Sequence, residues 1–182
     1  MRELTFSPER ALESLLYLAA KLNDATVHEV LKLRYFADKL HLQKYGSTAS
    51  GDDYVAMQFG PVASHTYDML KAARGERTRW IHPRLVDTVS GQLSVRGKYV
   101  VPQRQANLEC LSPADVECLD EALAMYGNMP FDQRTDLSHD AAWQRAWDAT
   151  ADGSLRGGEM SIVDIVSTLE NADEVLEFLN DK

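Results

Sequence analysis

Apolar residues recur at helical spacing from the start of the chain: after Ser7-Pro8, a cap with proline in the first turn, Leu12, Leu15, Leu16, Ala19 and Leu22 form one stripe. Such a stripe needs a partner. Thr26 with Glu29 three residues on forms a capping box and predicts a second helix to Tyr45, stopped where Gly46 takes a left-handed conformation. Polar Ser47 to Asp52 reads as a loop. Asp53, Val55, Met57 and Phe59 then alternate with Tyr54, Ala56 and Gln58 as a strand does. Gly60-Pro61 is expected to end that strand, with Pro61 in the first turn of a third helix whose Tyr67, Leu70 and Arg74 share a face and whose end is Gly75.

Between Trp80 and Gln103 the helical period vanishes, and β-branched residues flanking Ser90-Gly91 predict one hairpin or a small meander. Ser112-Pro113 with Asp115 opens another helix, carrying Val116, Leu119, Leu123 and Tyr126 on one side and closed by Gly127. Pro130 to Ser138 reads as a turn or short helix, and Trp143, Ala146 and Trp147 as an aromatic stripe. Asp152-Gly153 and Gly157-Gly158 are expected breaks, with Ser161 and Asn171 as caps of two closing helices. The fold class these elements predict is α+β and mainly α-helical: a compact multi-helix domain with a small antiparallel sheet or hairpin, one domain over residues 1–182.

On a wheel of about 100° per residue, the second helix has Leu31, Leu42, Tyr35 and Tyr45 on one flank and Val30, Ala37, Leu33 and Leu40 on the other. Arg34, Asp38 and His41 fall between them. Ionisable side chains in the middle of an apolar arc are costly unless paired, and Arg34 and Asp38, four apart, can pair within the helix with His41 one turn on. Two readings stand side by side: a satisfied polar cluster that fixes helix packing, or a groove left open for a partner. Phe36 lands on the polar pole beside Lys32, Glu29, Lys39 and Gln43, where an exposed aromatic is the kind of anchor an interface uses.

Charge narrows the function classes. A formal net charge of -9 and a pI near 5.0 argue against general attraction to nucleic acid or an anionic membrane. Its distribution is uneven. Lys71 to Arg104 holds eight basic residues against two acidic, whereas the closing helices from Glu159 to Lys182 hold seven acidic against one basic. The basic stretch, with Trp80 and Tyr99 as stacking platforms, keeps a nucleic-acid-binding regulator as an alternative, set against a solvated basic face or an acidic partner surface. No segment approaches the roughly eighteen uninterrupted apolar residues of a membrane span, and no signal-peptide pattern opens the chain, so a cytoplasmic protein is expected. Cys110 and Cys118 are too few for a disulfide scaffold and lack zinc or redox spacing; both are expected reduced, with Cys118 packed on a helix.

Catalytic signatures are missing. His28, His41, His65, His82 and His139 show no HExxH or similar ligand spacing, and neither GxSxG nor a phosphate loop occurs. No cofactor is expected. Adjacent Asp52 and Asp53 in a loop point to turn capping rather than to an acid and base pair. A small cytoplasmic enzyme using His139, Asp140 or His65 in a cleft stays as a second alternative.

Leu33-Arg34-Tyr35-Phe36-Ala37-Asp38-Lys39-Leu40-His41-Leu42, then Gly46, Gly51-Asp52, Tyr54-Val55-Ala56, Phe59-Gly60-Pro61-Val62 and Tyr67, resemble the Panacea domain of the SocA-like antitoxin family, as does Ser138-His139-Asp140 followed by Trp143. The resemblance reaches from Thr26 to Trp147. It implies a mainly helical domain with a little sheet that is no enzyme and neutralises, by direct binding, a cognate toxin encoded next door. That toxin is SocB-like where the member is SocA. The family pairs with many unrelated toxins, and some members present the toxin to an AAA+ protease such as ClpXP as a proteolytic adaptor. Read through the resemblance, the functional surface comprises Arg34, Phe36, Asp38, His41, Tyr54, Gly60, Pro61, Tyr67, His139 and Trp143. An apolar residue is commoner in the family where Arg34 stands; this departure leaves open whether the helix face is buried in the family's way and makes the position a candidate for partner specificity.

Overall fold

In the computed structural model, which describes residues 4–78, 82–150 and 156–181, the second helix is the axis around which the other elements pack. Helix α1 (Pro8–Lys21) starts as its sequence predicts, with the Ser7 hydroxyl accepting from the Arg10 amide at 3.4 Å, and it buries Leu12, Leu15, Leu16 and Ala19. Helix α2 (Val27–Tyr45) carries the full Thr26/Glu29 capping box and ends at Gly46, φ +62°. A side chain at Gly46 would collide with the ring of Phe178 as well as strain the backbone.

Every residue of α2 from Val30 to Asp38 is buried. Helix α5 (Pro113–Tyr126), helix α6 (Phe131–Ser138), strand β2 (Gly60–Ala63) and α1 all pack on it. The wheel reading of Phe36 as an exposed anchor on a polar pole is therefore overturned: Phe36 is 6% exposed and stacks on Tyr126 of α5 with ring centroids 4.2 Å apart. A wheel assigns one inward side, and this helix is enclosed on all sides over its middle turns.

Strands β1 (Tyr54–Met57), β2 and β5 (Arg156–Met160) form an antiparallel sheet in the order β2-β1-β5. Gly60-Pro61 does not end the strand region as expected. After a turn at Gln58-Phe59 the chain reverses into β2, where Gly60 takes φ +98° and Pro61 lies opposite Ala56. An edge strand tolerates the missing proline N–H. Helix α3 (Ser64–Ala73) begins only after β2, and Gly157-Gly158, expected as a break, lies within β5.

The expected hairpin exists as β3 (Leu93–Arg96) and β4 (Tyr99–Pro102), but it turns at Gly97-Lys98. Ser90-Gly91 lies instead in helix α4 (Pro83–Gln92), whose stripe of Leu85, Val86 and Val89 packs on the core. Backbone bonds from Val27 N to Lys98 O (2.9 Å) and from Val100 N to Ala25 O (2.7 Å) fasten β4 to the start of α2.

Helix α5 has the predicted Ser112/Asp115 capping box and carries the buried Cys118; both cysteines are free. Helix α7 (Ala141–Asp148) carries the tryptophan stripe, and Ser161 caps α8 (Ile162–Val166). Asn171 stands before α9 (Ala172–Asn180) without capping it; its side-chain amide donates to Gln43 O at 3.0 Å and ties α9 to the end of α2. Arg79, Trp80 and Asp152-Gly153 lie outside the described residues.

Candidate functional site

Arg34, Asp38 and Tyr54 meet in the interior as a buried polar cluster, which is only partly satisfied: Arg34 Nε and Nη1 have no hydrogen-bond partner among the described residues. Arg34 is fully buried, and its Nη2 donates to Ser50 Oγ at 2.6 Å and Asp38 Oδ2 at 3.3 Å. Asp38 also accepts from the Tyr54 hydroxyl (2.7 Å) and the Ala49 amide (2.9 Å). This one carboxylate joins α2, the following loop and β1. Burial works against the Arg34 guanidinium, but Asp38, with Tyr54, Asp52 and Asp115 farther off, raises its pKa and keeps it charged. Burial, reinforced by Asp38, pushes the Tyr54 phenol well above its ordinary value.

Asp52 does the capping expected of it. Its carboxylate accepts from the His65 and Thr66 amides, both at 2.9 Å, and from the Thr66 hydroxyl at 2.6 Å, at the N-terminus of α3. His41 belongs to a separate branch: Nδ1 faces Ser47 O at 2.8 Å, and Nε2 lies 3.0 Å from Asp115 Oδ1. Asp115 also takes two bonds from Arg10 at 2.7 and 2.6 Å. Burial alone would raise the Asp115 pKa; His41, Arg10 and the Ser112 amide outweigh it and hold the carboxyl below its usual range.

The motif residues Gly60, Pro61, His139 and Trp143 converge under the β1-β2 hairpin. Lys32, 2% exposed, reaches from α2 to donate to Pro61 O at 2.8 Å, and a Cβ on Gly60 would strike Ser138 Oγ and press on the Lys32 stem at 2.9 Å. Among the described residues no carboxylate pairs with the Lys32 ammonium, and burial lowers its pKa from 10.5 to about 7. The His139 ring stacks flat on Trp143 at 3.6 Å, and Trp143 Nε1 donates to Met57 O at 2.9 Å, bracing β1. Burial, with Lys32 near, lowers the His139 pKa. Asp140 caps α7 and accepts from the Tyr35 hydroxyl (2.7 Å) and Lys39 (2.8 Å).

Tyr67 stands apart from these networks, half-buried in a cleft of about 440 Å³ on the open face of the sheet, with the Lys71 ammonium over its ring at 4.8 Å. His65, also in that cleft, stacks on Phe6 and lies 3.6 Å from Asp53, so it is held apart from His139 and Asp140, which stand together between α6 and α7. Part of the basic stretch is internally paired, through Lys71 with Asp68, Arg74 with Glu76 and Arg104 with Glu13. Among the described residues no helix is long and apolar enough to cross a membrane.

Sequence reasoning missed Lys32, Ser50, Tyr35 and Asp115 as members of these networks. Only Lys32 left a trace, as a cation in a helix otherwise rich in apolar residues; the others are set by contacts distant in sequence. Residues 30–144, more than half the chain and running from α2 into α7, match the family model described as antitoxin SocA-like, Panacea domain. No curated protein and no solved structure matches the chain.

Proposed function

The chain belongs to the SocA-like antitoxin, Panacea-domain family, and on that premise we propose that it neutralises a cognate toxin by direct binding. The family implies a toxin partner and points to a binding protein rather than an enzyme. The observation that carries the reading is the match over residues 30–144, which takes in the α2 scaffold, the β1-β2 hairpin and α7. The partner-facing surface lies on the outer side of that hairpin and at Tyr67, with Arg34, Asp38, Tyr54, Gly60, Pro61, His139 and Trp143 holding it from beneath. Phe59 at the hairpin turn, 52% exposed and edge-on to exposed Phe131 at 5.6 Å, is part of the same surface.

Co-expression with the protein encoded by the adjacent gene tests this. Growth arrest by that protein alone, relieved by the chain and accompanied by co-purification, is the expected outcome; arrest that the chain leaves unrelieved overturns the reading. An adaptor role, with a SocB-like toxin handed to ClpXP, adds a second expectation. The purified chain with protease and ATP shortens the toxin's lifetime while itself persisting. An equal toxin lifetime with and without the chain leaves sequestration.

A further inference from the structure

The cleft at Tyr67 does not end at the sheet. A second cleft of about 890 Å³ lies on the other side of β1 and β5, and Asp53 and Glu159 line both. Register places them together: Val55 pairs with Glu159, and Asp53 precedes Tyr54, the partner of Met160. Asp53 therefore shares a face with Val55 and Glu159 at the mouth common to the two clefts.

The two clefts share this carboxylate pair, and their chemistry is one-sided. Val55 and Val62 give the first cleft an apolar floor; Leu42, Ile162 and Ile165 give the second apolar walls. Among the described residues, no Lys, Arg or His lines the second cleft. In the first, Lys71 is already paired with Asp68, and among the described residues the group facing the Asp53 carboxylate is His65 at 3.6 Å. Glu159 is exposed and has no ion pair among the described residues. The buried carboxylates Asp38 and Asp52 are spent on internal donors, but Asp53 and Glu159 are not, and the Asp53 side chain is 81% exposed. Apolar clefts that meet at two exposed carboxylates, Asp53 with only His65 near it and Glu159 with no ion pair among the described residues, complement an apolar chain that carries a cation.

Resting on the antitoxin reading, we propose that this groove receives an extended segment of the cognate toxin whose arginine or lysine side chains pair with Asp53 and Glu159. Tyr67 is the aromatic wall against which the segment's apolar side chains pack.

The test is the affinity of the toxin from the adjacent gene, measured by calorimetry at two salt concentrations, for the wild-type chain and two charge-matched variants. Asp53→Lys with Glu159→Lys reverses the groove; Glu174→Lys with Glu177→Lys makes the same change on α9. Reversing two exposed pairs is expected to weaken binding at least about tenfold and flatten its salt dependence. The α9 variant stays near wild type, and all three melt alike. Acidic substitution of the toxin's matching basic residues restores affinity for the groove variant. Undiminished binding by the groove variant, or an equal loss in both, overturns the proposal while the antitoxin reading stands. Spermidine binding that the groove variant loses, with toxin affinity retained, assigns the groove to a free organic cation and also overturns it. A wild-type chain that binds no toxin at all overturns both readings.

Discussion

Replacing Arg34 with methionine tests whether the polar cluster of α2 is scaffold or docking surface. Methionine keeps the volume and apolar stem of the site but removes the guanidinium. Asp38 then retains the Tyr54 hydroxyl at 2.7 Å and the Ala49 amide at 2.9 Å, yet loses the one counter-charge within 4 Å among the described residues while 1% exposed. Removing one member of a buried ion pair costs about 3–5 kcal/mol, because the remaining charge stays buried without compensation. For a domain of this size about 1 kcal/mol moves the melting temperature by about 2–4 °C, so a fall of roughly 10 °C is expected. Asp38→Asn removes the stranded charge while keeping a carbonyl acceptor for Tyr54 or Ala49. The double variant should therefore recover about 2 kcal/mol relative to the sum of the singles. Urea unfolding followed by far-UV circular dichroism on the two singles and the double closes the cycle. A loss below about 1 kcal/mol for Arg34→Met, or additivity within about 0.5 kcal/mol, refutes the reasoning. Toxin binding well below the melting point is expected to survive, since the guanidinium has no exposed surface.

Phe36→Ala is expected to cost about 3–5 kcal/mol through the cavity left against Tyr126, read as a lower urea midpoint at unchanged slope; an exposed anchor would leave the midpoint where it was. Lys32 predicts a pH dependence. Its pKa is about 7 folded against 10.5 in the ordinary state, so between those values the unfolded chain binds more protons, and stability rises with pH by up to about 1.4 kcal/mol per unit. Below pH 7 the charged lysine penalises folding in full, and above 10.5 the penalty is gone. Lys32→Met should remove that slope. Parallel stability profiles of the two proteins across the window would show that the buried amine is not the cause.

What was legible in the chain was local. The caps at Ser7, Thr26/Glu29, Gly46, Ser112/Asp115 and Ser161 were readable because a cap and the helix it closes lie within a turn of each other. The Arg34–Asp38 pair was readable for the same reason, through its i,i+4 spacing. Strand β2 was hidden because Gly60-Pro61 carries a helix-start signal that an edge strand can also accept, and α4 because Ser90-Gly91 resembles a hairpin turn. The largest error, at Phe36, came from assuming one inward face. Enclosure of α2 by α5, α6, β2 and α1 is decided by elements up to about a hundred residues away. The groove was out of reach for the same reason, since Asp53 and Glu159 become neighbours only when β5 pairs with β1.

On the proposed reading, the division between interior and groove bears on which residues set the choice of toxin. The interior bonds of α2 end largely on backbone or on strand residues: Asp38 on the Ala49 amide and Tyr54, Lys32 on Pro61 O, and, from α7, Trp143 on Met57 O. Such bonds fix where β1 and β2 lie without dictating which side chains those strands turn outward. Substitutions among the inner residues cost several kcal/mol, whereas exposed positions usually change stability by less than about 0.5 kcal/mol. Charge and shape at Asp53, Glu159, Phe59 and Tyr67 can therefore be rewritten with little penalty to the frame. On the proposed reading, exchanging these outer residues between two members of the family should carry toxin preference with them, while exchanging Arg34, Asp38 or Lys32 should change stability and leave preference alone.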